Sequence, residues 1–236
     1  MRGCLISIAL LVTVGLVAGS TLLPKIVSFV AVGALGLAGF SGTNTTVQVV
    51  ANPPTELLTL TADALKIHST NASFQGIQAG DVRLTLHDVH LLDRRFGTLD
   101  GTLQDVRFDN PSGSPVDVAS VRLSGTATDT RATLTLSSRD VGQLAGTAFQ
   151  TTFGGSPSQL TLAAPDRVRM VIGGAALTAR LRVQADGTLV LVPPAGLGTS
   201  VLPLIVPGRS TPFRILSFQI VSDSLVLVAT FDPTAG

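Results

Sequence analysis

The segment from Leu57 to Leu92, LLTLTADALKIHSTNASFQGIQAGDVRLTLHDVHLL, alternates apolar and polar residues. Leu65 and Ile67 fall on one side of an extended chain, Lys66 and His68 on the other. Val82, Leu84 and Leu86 share one face; Arg83, Thr85 and His87 share the opposite one. A period of two is the mark of a strand with one buried face. Gly76-Ile77-Gln78-Ala79-Gly80 separates the two runs where a turn or bulge is needed. The apolar phase slips again between Leu86 and Val89, which admits a second bulge.

Strand-like runs continue toward the C-terminus. Phe96 to Phe108 alternates loosely, and Val116 to Leu136 holds two runs, one with Val121 and Leu123, the other with Leu134 and Leu136. Between them Asn110 to Pro115 reads as a loop. The segment SSRDVGQLAGTAF departs from this pattern. Ser138 is placed to cap a helix, Asp140 lies in its first turn, and Val141, Leu144 and Ala145 recur at helical spacing. Asn52-Pro53-Pro54 opens a short helix through Glu56 to Leu60. Arg167 to Ile172 and Ala175 to Ala185 flank Gly173-Gly174, and Thr188 to Val192 returns across Asp186-Gly187. Both dipeptides suit two-residue hairpin turns, whose central positions need positive φ. A last hairpin turns around Ser222-Asp223-Ser224 after a long Pro/Gly connection from Pro193 to Pro212.

The Gly173-Gly174 register places Arg167 opposite Arg180 and Arg169 opposite Thr178, with Arg182 on the same face. Like charges directly across a ladder are unfavourable unless something neutralises them. Asp166, Asp186 or solvent would serve; so would a phosphate, which Arg holds bidentately. Leu177, Leu181 and Val183 take the opposite face, with Val168, Met170 and Ile172.

At the N-terminus, Leu5 to Leu23 is 19 residues without a charge, about the length that crosses a bilayer core. Arg2 precedes it, and Ala18-Gly19-Ser20 is small enough for cleavage. A signal peptide and a signal-anchor helix both fit. Ile26 to Phe40 is a second apolar run, with Gly33, Gly36 and Gly39 every three residues. It reads as a helix leaning on the membrane or on the domain. Ser41 to Thr46 is polar and reads as a connector. Three parts result: residues 1–24 as signal or anchor, 25–45 as apolar helix and connector, and 46–232 as the domain.

Composition narrows the function. The chain has 236 residues, enough for one medium domain with a real core. From Ser41 onward 14 basic residues stand against 15 acidic ones, and Trp and Tyr are absent. Such a domain lacks the phosphate-attracting field and most of the stacking surface that nucleic acid needs. The single cysteine, Cys4, excludes an intrachain disulfide and a cysteine-rich metal site. No Gly-x-Ser-x-Gly elbow and no P-loop occur, and Gly196-Leu197-Gly198 sits in a Pro-rich loop. His87 and His90 have no evident third ligand, whereas zinc wants at least three. No nucleophile–base constellation can be named, so neither an enzyme nor a cofactor is expected.

One set of residues resembles a known family. The Leu57-Leu58 pair, an alternating strand, the step Asn71-Ala72-Ser73-Phe74-Gln75-Gly76-Ile77, and a strand of the form Val-x-Leu-x-Leu at Val82 to Leu86 follow in that order. This order resembles the LmeA-like phospholipid-binding family of bacterial envelope domains, its cyanobacterial branch above all. The segment around Asp140 resembles that family's acidic-Asp-Leu helix, with Val141 where Leu is usual. The closing strands after Pro212-Phe213 are similar as well, so the resemblance runs from Thr46 to Asp232. It implies a tubular lipid-binding type of fold, and binding, with or without transfer, of phospholipid at an envelope membrane.

The expected fold class is therefore α+β: long curved antiparallel strands packed on one or two helices, after an N-terminal membrane segment. The expected apolar groove is lined by Leu65, Ile67, Val82, Leu84, Leu86, Leu177, Leu181 and Val183. Arg167, Arg169, Arg180 and Arg182 are the expected head-group residues. The same strands would equally build an ordinary closed core. The rival function is a membrane-anchored structural or scaffold domain that binds protein through an edge strand. In either case the domain lies at the cell membrane on its periplasmic side, or is exported after cleavage.

Overall fold

Strands dominate the chain. A computed structural model describes residues 40–74, 76–90, 93, 95–126, 128–194, 200–208 and 213–231. The run Leu5–Leu23, and all of Ile26–Phe40 except its last residue, lie outside these. Among the described residues no helix is long and apolar enough to cross a membrane.

The large sheet contains β1 (Ser41–Val50), β2 (Thr61–Phe74), β3 (Ile77–His90), β4 (Thr98–Phe108), β5 (Val116–Thr126) and β6 (Thr130–Ser137). It is completed by β12 (Phe213–Val221) and β13 (Ser224–Phe231), in the order β1-β2-β3-β4-β5-β6-β13-β12. A helix, α1 (Ser138–Phe153), leads from β6 to a second sheet. That sheet comprises β7 (Gln159–Ala163), β8 (Arg167–Ile172), β9 (Ala175–Val183), β10 (Leu189–Val192) and β11 (Leu202–Ile205), in the order β11-β10-β9-β8-β7. Every pairing in both sheets is antiparallel.

The expected α+β class is thus corrected. The protein is mostly β, 66% strand and 11% helical, with two sheets and one α-helix among the described residues. The helix expected at SSRDVGQLAGTAF is present and packs against strands of both sheets, but it stands beside thirteen strands among the described residues. The polar segment from Ser41, read as a connector, is the start of edge strand β1. The short helix expected after Asn52 is a 3-10 helix, Pro54–Thr59, with Pro53 rather than Asn52 at its cap.

The α1 cap is one residue earlier than expected. Ser137, not Ser138, has the extended cap conformation. Its Oγ accepts the Asp140 backbone N–H at 3.2 Å, while the Asp140 carboxylate accepts the Ser137 N–H at 3.0 Å. This reciprocal pair satisfies two donors that a helix start otherwise leaves open. Ser138 instead donates its hydroxyl to Asp223 at 2.8 Å, tying α1 to the β12–β13 turn. Val141, Leu144, Ala145 and Phe149 form the buried face of α1. Replacing Ser137 with Ala is expected to cost about 1 kcal/mol, read as a lower denaturant midpoint at unchanged slope. Ser138→Ala, which leaves the cap intact, is expected to cost less.

The hairpins follow the turn chemistry. Gly173 and Gly174 adopt φ +56° and +85°, and Ile172 pairs Ala175 across them. Arg167 then faces Arg180 and Arg169 faces Thr178, as the register required. Ser222 and Asp223 make a similar turn at φ +45° and +63°. The Asp186-Gly187 turn is longer than two residues: Gln184 accepts the Gly187 N–H and donates to the Thr188 carbonyl.

The large sheet carries a coordinated irregularity. Its inward-facing residues are Ile67 and Ser69 then Ala72 in β2, Ala79 then Val82 in β3, Leu103 then Val106 in β4, and Val118 then Val121 in β5. Each strand slips by one residue at the same level. The residues at the slip are Asn71, Gly80, Asp105 and Ala119, which face one another in sequence across the four strands. Asn71 and Asp105 are left-handed, at φ +48° and +50°, a conformation Asn and Asp tolerate better than other non-glycine residues. Because all four strands slip together, the pairing stays in register while the inward set changes parity. Such local irregularities bend a sheet. The large sheet curls far enough that Phe213 of β12 reaches Phe108 of β4, four places away in the sheet order, with ring centroids 5.4 Å apart.

One large core joins both sheets and α1, with Leu134, Leu136, Leu225 and Leu227 among its fully buried members. A smaller cluster around Val47, Val49, Leu57, Leu65 and Ile67 lies at the β1–β3 end. The sheets are fastened at the β4–β5 connection. There buried Asn110 donates to the Leu204 carbonyl at 2.5 Å and accepts the Val206 N–H at 3.1 Å.

Candidate functional site: an apolar cavity under the curled sheet

The inward rows of the large sheet are not uniformly filled. One row runs Val47, Ile67, Leu84, Gly101, Leu123, Ala132, Ala229 and Ile215 across the strands. It contains one glycine and two alanines. A Cβ at Gly101 would stand 2.3 Å from a Leu84 methyl, so only glycine lets Leu84 lie where it does. The next row, Ser69, Val82, Leu103, Val121, Leu134 and Leu227, turns from part-exposed at Leu103 to sealed at Leu134.

Over the less filled half lies a cavity of about 410 Å³. Its walls are Ile67 and Ala72 of β2, Ile77, Ala79, Val82, Leu84 and Leu86 of β3, Leu99 and Leu103 of β4, and Val121 and Leu123 of β5. Four phenylalanines, Phe40, Phe74, Phe96 and Phe213, border it. Ser73 and Thr130 are the polar members of the lining, and no lining side chain is charged. The cavity runs across the bend, from the Phe74–Ile77 turn to the Leu86–Leu99 pair. This surface recognises hydrocarbon: it offers area to cover and very few polar groups to satisfy.

Four of the eight expected groove residues meet here: Ile67, Val82, Leu84 and Leu86. Leu65 sits one row away in the smaller cluster, paired with Leu86. Leu177, Leu181 and Val183 do not line the cavity. They belong to β9 and pack into the main core between the sheets. Their alternation was read correctly, but their buried face meets other side chains. Leu99, Leu103, Val121 and Leu123 were missed as lining residues, although the same alternation marks them. For Phe40 and Phe213 there was no local signal, since the curl of the sheet brings them in.

The four arginines lie elsewhere. Arg167, Arg169, Arg180 and Arg182 are all exposed on the outer face of the second sheet. Val168, Met170, Ala179 and Leu181 on the inner face are buried in the core. None of the four lines the cavity. Among the described residues none has an acidic side chain within 4 Å. The Asp186 carboxylate is engaged in its own turn, accepting the Thr188 N–H at 2.9 Å, which holds it below the usual carboxylate range. The face therefore presents local positive charge on a nearly neutral domain.

The histidines do not converge. Asp88, at φ +52°, interrupts the pairing between Leu86 and Val89, but the β2–β3 register is unchanged across it, so the bulge expected there is absent. His87 is half-buried and His90 exposed. His68 lies on the outer face of the large sheet, 2.8 Å from Asp81, whose other oxygen accepts from Arg83 at 2.9 Å. The His68 hydrogen bond, with the Arg83 charge, holds the Asp81 carboxyl below its ordinary value. What this cluster adds to stability is present above the ordinary carboxylate pKa and is lost as pH falls through the depressed one. Among the described residues no group of three or more His, Cys, Asp or Glu side chains is placed to hold a metal ion.

Comparison with protein-family models, curated proteins and solved structures finds no match to this chain.

Proposed function

We propose that the domain binds phospholipid at a cell-envelope membrane, without chemistry, by enclosing acyl hydrocarbon in the cavity beneath the curled sheet. The observation that carries this reading is the uncharged, 410 Å³ lining. Hydrocarbon is the occupant this lining suits, because it covers apolar area and leaves no charge unsatisfied. The resemblance at Asn71–Ile77 and Val82–Leu86 supports the same choice, since Ala72, Ser73, Phe74 and Ile77 of the first segment and Val82, Leu84 and Leu86 of the second border the cavity. The apolar run Leu5–Leu23 supplies membrane attachment in this proposal.

Organic extraction of the purified full chain, followed by mass spectrometry, tests the reading. Lipid is expected in amounts approaching one molecule per chain. Protein recovered repeatedly free of lipid, with the fold intact by circular dichroism, would favour the scaffold reading. Attachment is checked separately by fractionation. The full chain is expected in the membrane pellet, and a chain beginning at Ser41 is expected to shift toward the supernatant. An intact full chain that stays in the supernatant removes the anchor from the proposal.

A further inference from the structure

We infer that the cavity accepts one hydrocarbon chain of about 16 carbons, so that a two-tailed lipid is held by a single tail. The inference rests on the lipid-binding reading and adds the chain count and the chain length.

Volume and shape argue together. An apolar protein cavity of about 150 Å³ holds one six-carbon ring, so 410 Å³ holds two to three such units, or about 16 carbons. Two tails of ordinary length need about twice that. The cavity is also long: its walls include both Ile77 and Leu86 of β3. Nine strand steps at about 3.3 Å each make roughly 30 Å of contour, somewhat less end to end because the sheet bends between them. A single chain laid along that length takes up the 410 Å³. Two chains side by side would need the inward rows to separate. Those rows are held by the strand pairing from β2 through β5, which between Ile77 and Leu86 is interrupted only at the slip level.

The experiment uses the full chain, stripped of bound lipid and kept in a steroid-based detergent that has no linear tail to compete. Single-tailed phosphocholines with saturated tails of 8 to 22 carbons are titrated by native mass spectrometry. Affinity is expected to rise up to about fourfold per added methylene, break near 16 carbons and stay flat beyond. For two-tailed phosphocholines, shortening the second tail at constant first tail is expected to change affinity less than twofold. In Leu99→Trp, at one end of the cavity, the break is expected to move to shorter tails by several carbons. A purely structural effect of that substitution would lower all tails together and leave the break in place.

Affinity that climbs without a break through 22 carbons, or that depends equally on both tails, overturns the single-chain inference while leaving lipid binding standing. An unmoved break in folded Leu99→Trp overturns the placement of the chain in this cavity. Absence of binding across the whole series overturns the lipid reading as well.

Discussion

Leu84→Trp is expected to leave the domain folded and to remove most of its lipid. Leu84 faces the middle of the cavity and is only half-buried, with Gly101 beside it in the inward row. An indole there has open volume to enter. In a sealed core the same enlargement costs roughly 1–3 kcal/mol through forced rotamers and backbone shifts. Leu134, one row over and 1% exposed, provides that contrast. Leu134→Trp is expected to lower the denaturant midpoint clearly, whereas Leu84→Trp is expected to change it little. The loss of lipid follows from displaced contact. Excluding four methylenes from the cavity forfeits about 3 kcal/mol at about 0.8 kcal/mol each, or more than a hundredfold in affinity. The readout is the lipid-to-protein ratio beside a urea titration of the same sample. Lipid content equal to wild type in a folded Leu84→Trp protein would place the lipid elsewhere. A large fall in stability of Leu84→Trp, with no lipid ever recovered from wild type, would mean an ordinary filled core.

The second large effect is expected on the outer face of the second sheet. In the double substitution Arg167→Glu/Arg180→Glu, binding to anionic vesicles at low salt is expected to fall by nearly three orders of magnitude. Each basic residue near an anionic surface contributes about 1 kcal/mol, and reversal replaces an attraction with a repulsion of similar size. Two reversals therefore amount to about 4 kcal/mol. The geometry suits this: the two residues face each other in β8 and β9, both exposed, on the face turned away from the core. Neutral vesicles are expected to show little change. The difference should narrow as salt rises, because the Debye length is about 8 Å at physiological ionic strength. Co-sedimentation with vesicles of two compositions measures it. If wild type does not distinguish anionic from neutral vesicles at low salt, these arginines are a solvated strand face. The same experiment separates surface attraction from lipid uptake, since no residue of the arginine face lines the cavity.

Much of the architecture was legible because its determinants are local. Gly-Gly between two alternating runs sets a two-residue turn, and that turn sets which residues oppose each other. Arg167 opposite Arg180 follows from it without knowledge of the rest of the chain. The α1 segment was legible for a similar reason: Val141, Leu144 and Ala145 can share a face only on a helix. Its cap was misplaced by one residue because two serines precede Asp140. Asp140 N–H reaches the Ser137 hydroxyl, three residues back. The fold class went astray for a different reason. Alternation shows that a strand buries one face, and it is silent on whether a helix or another sheet covers that face.

The sequence by itself determined which side chains in each strand point inward, where the hairpins turn, and that the domain carries no strong net charge. Each follows from neighbours a few residues apart or from composition alone. Only the tertiary structure decided which inward faces meet side chains and which meet space. Leu84 and Leu181 have the same alternating surroundings in sequence, yet one lines a cavity and the other fills a core. The difference comes from what lies across from them, and that depends on long-range placement. Asn71, Gly80, Asp105 and Ala119 slip at one level, and Phe213 arrives at the cavity from the far end of the strand order. A hydrophobic pattern records the sign of each residue's preference for water. The volume left over when eight strands curl together is a property of the whole sheet.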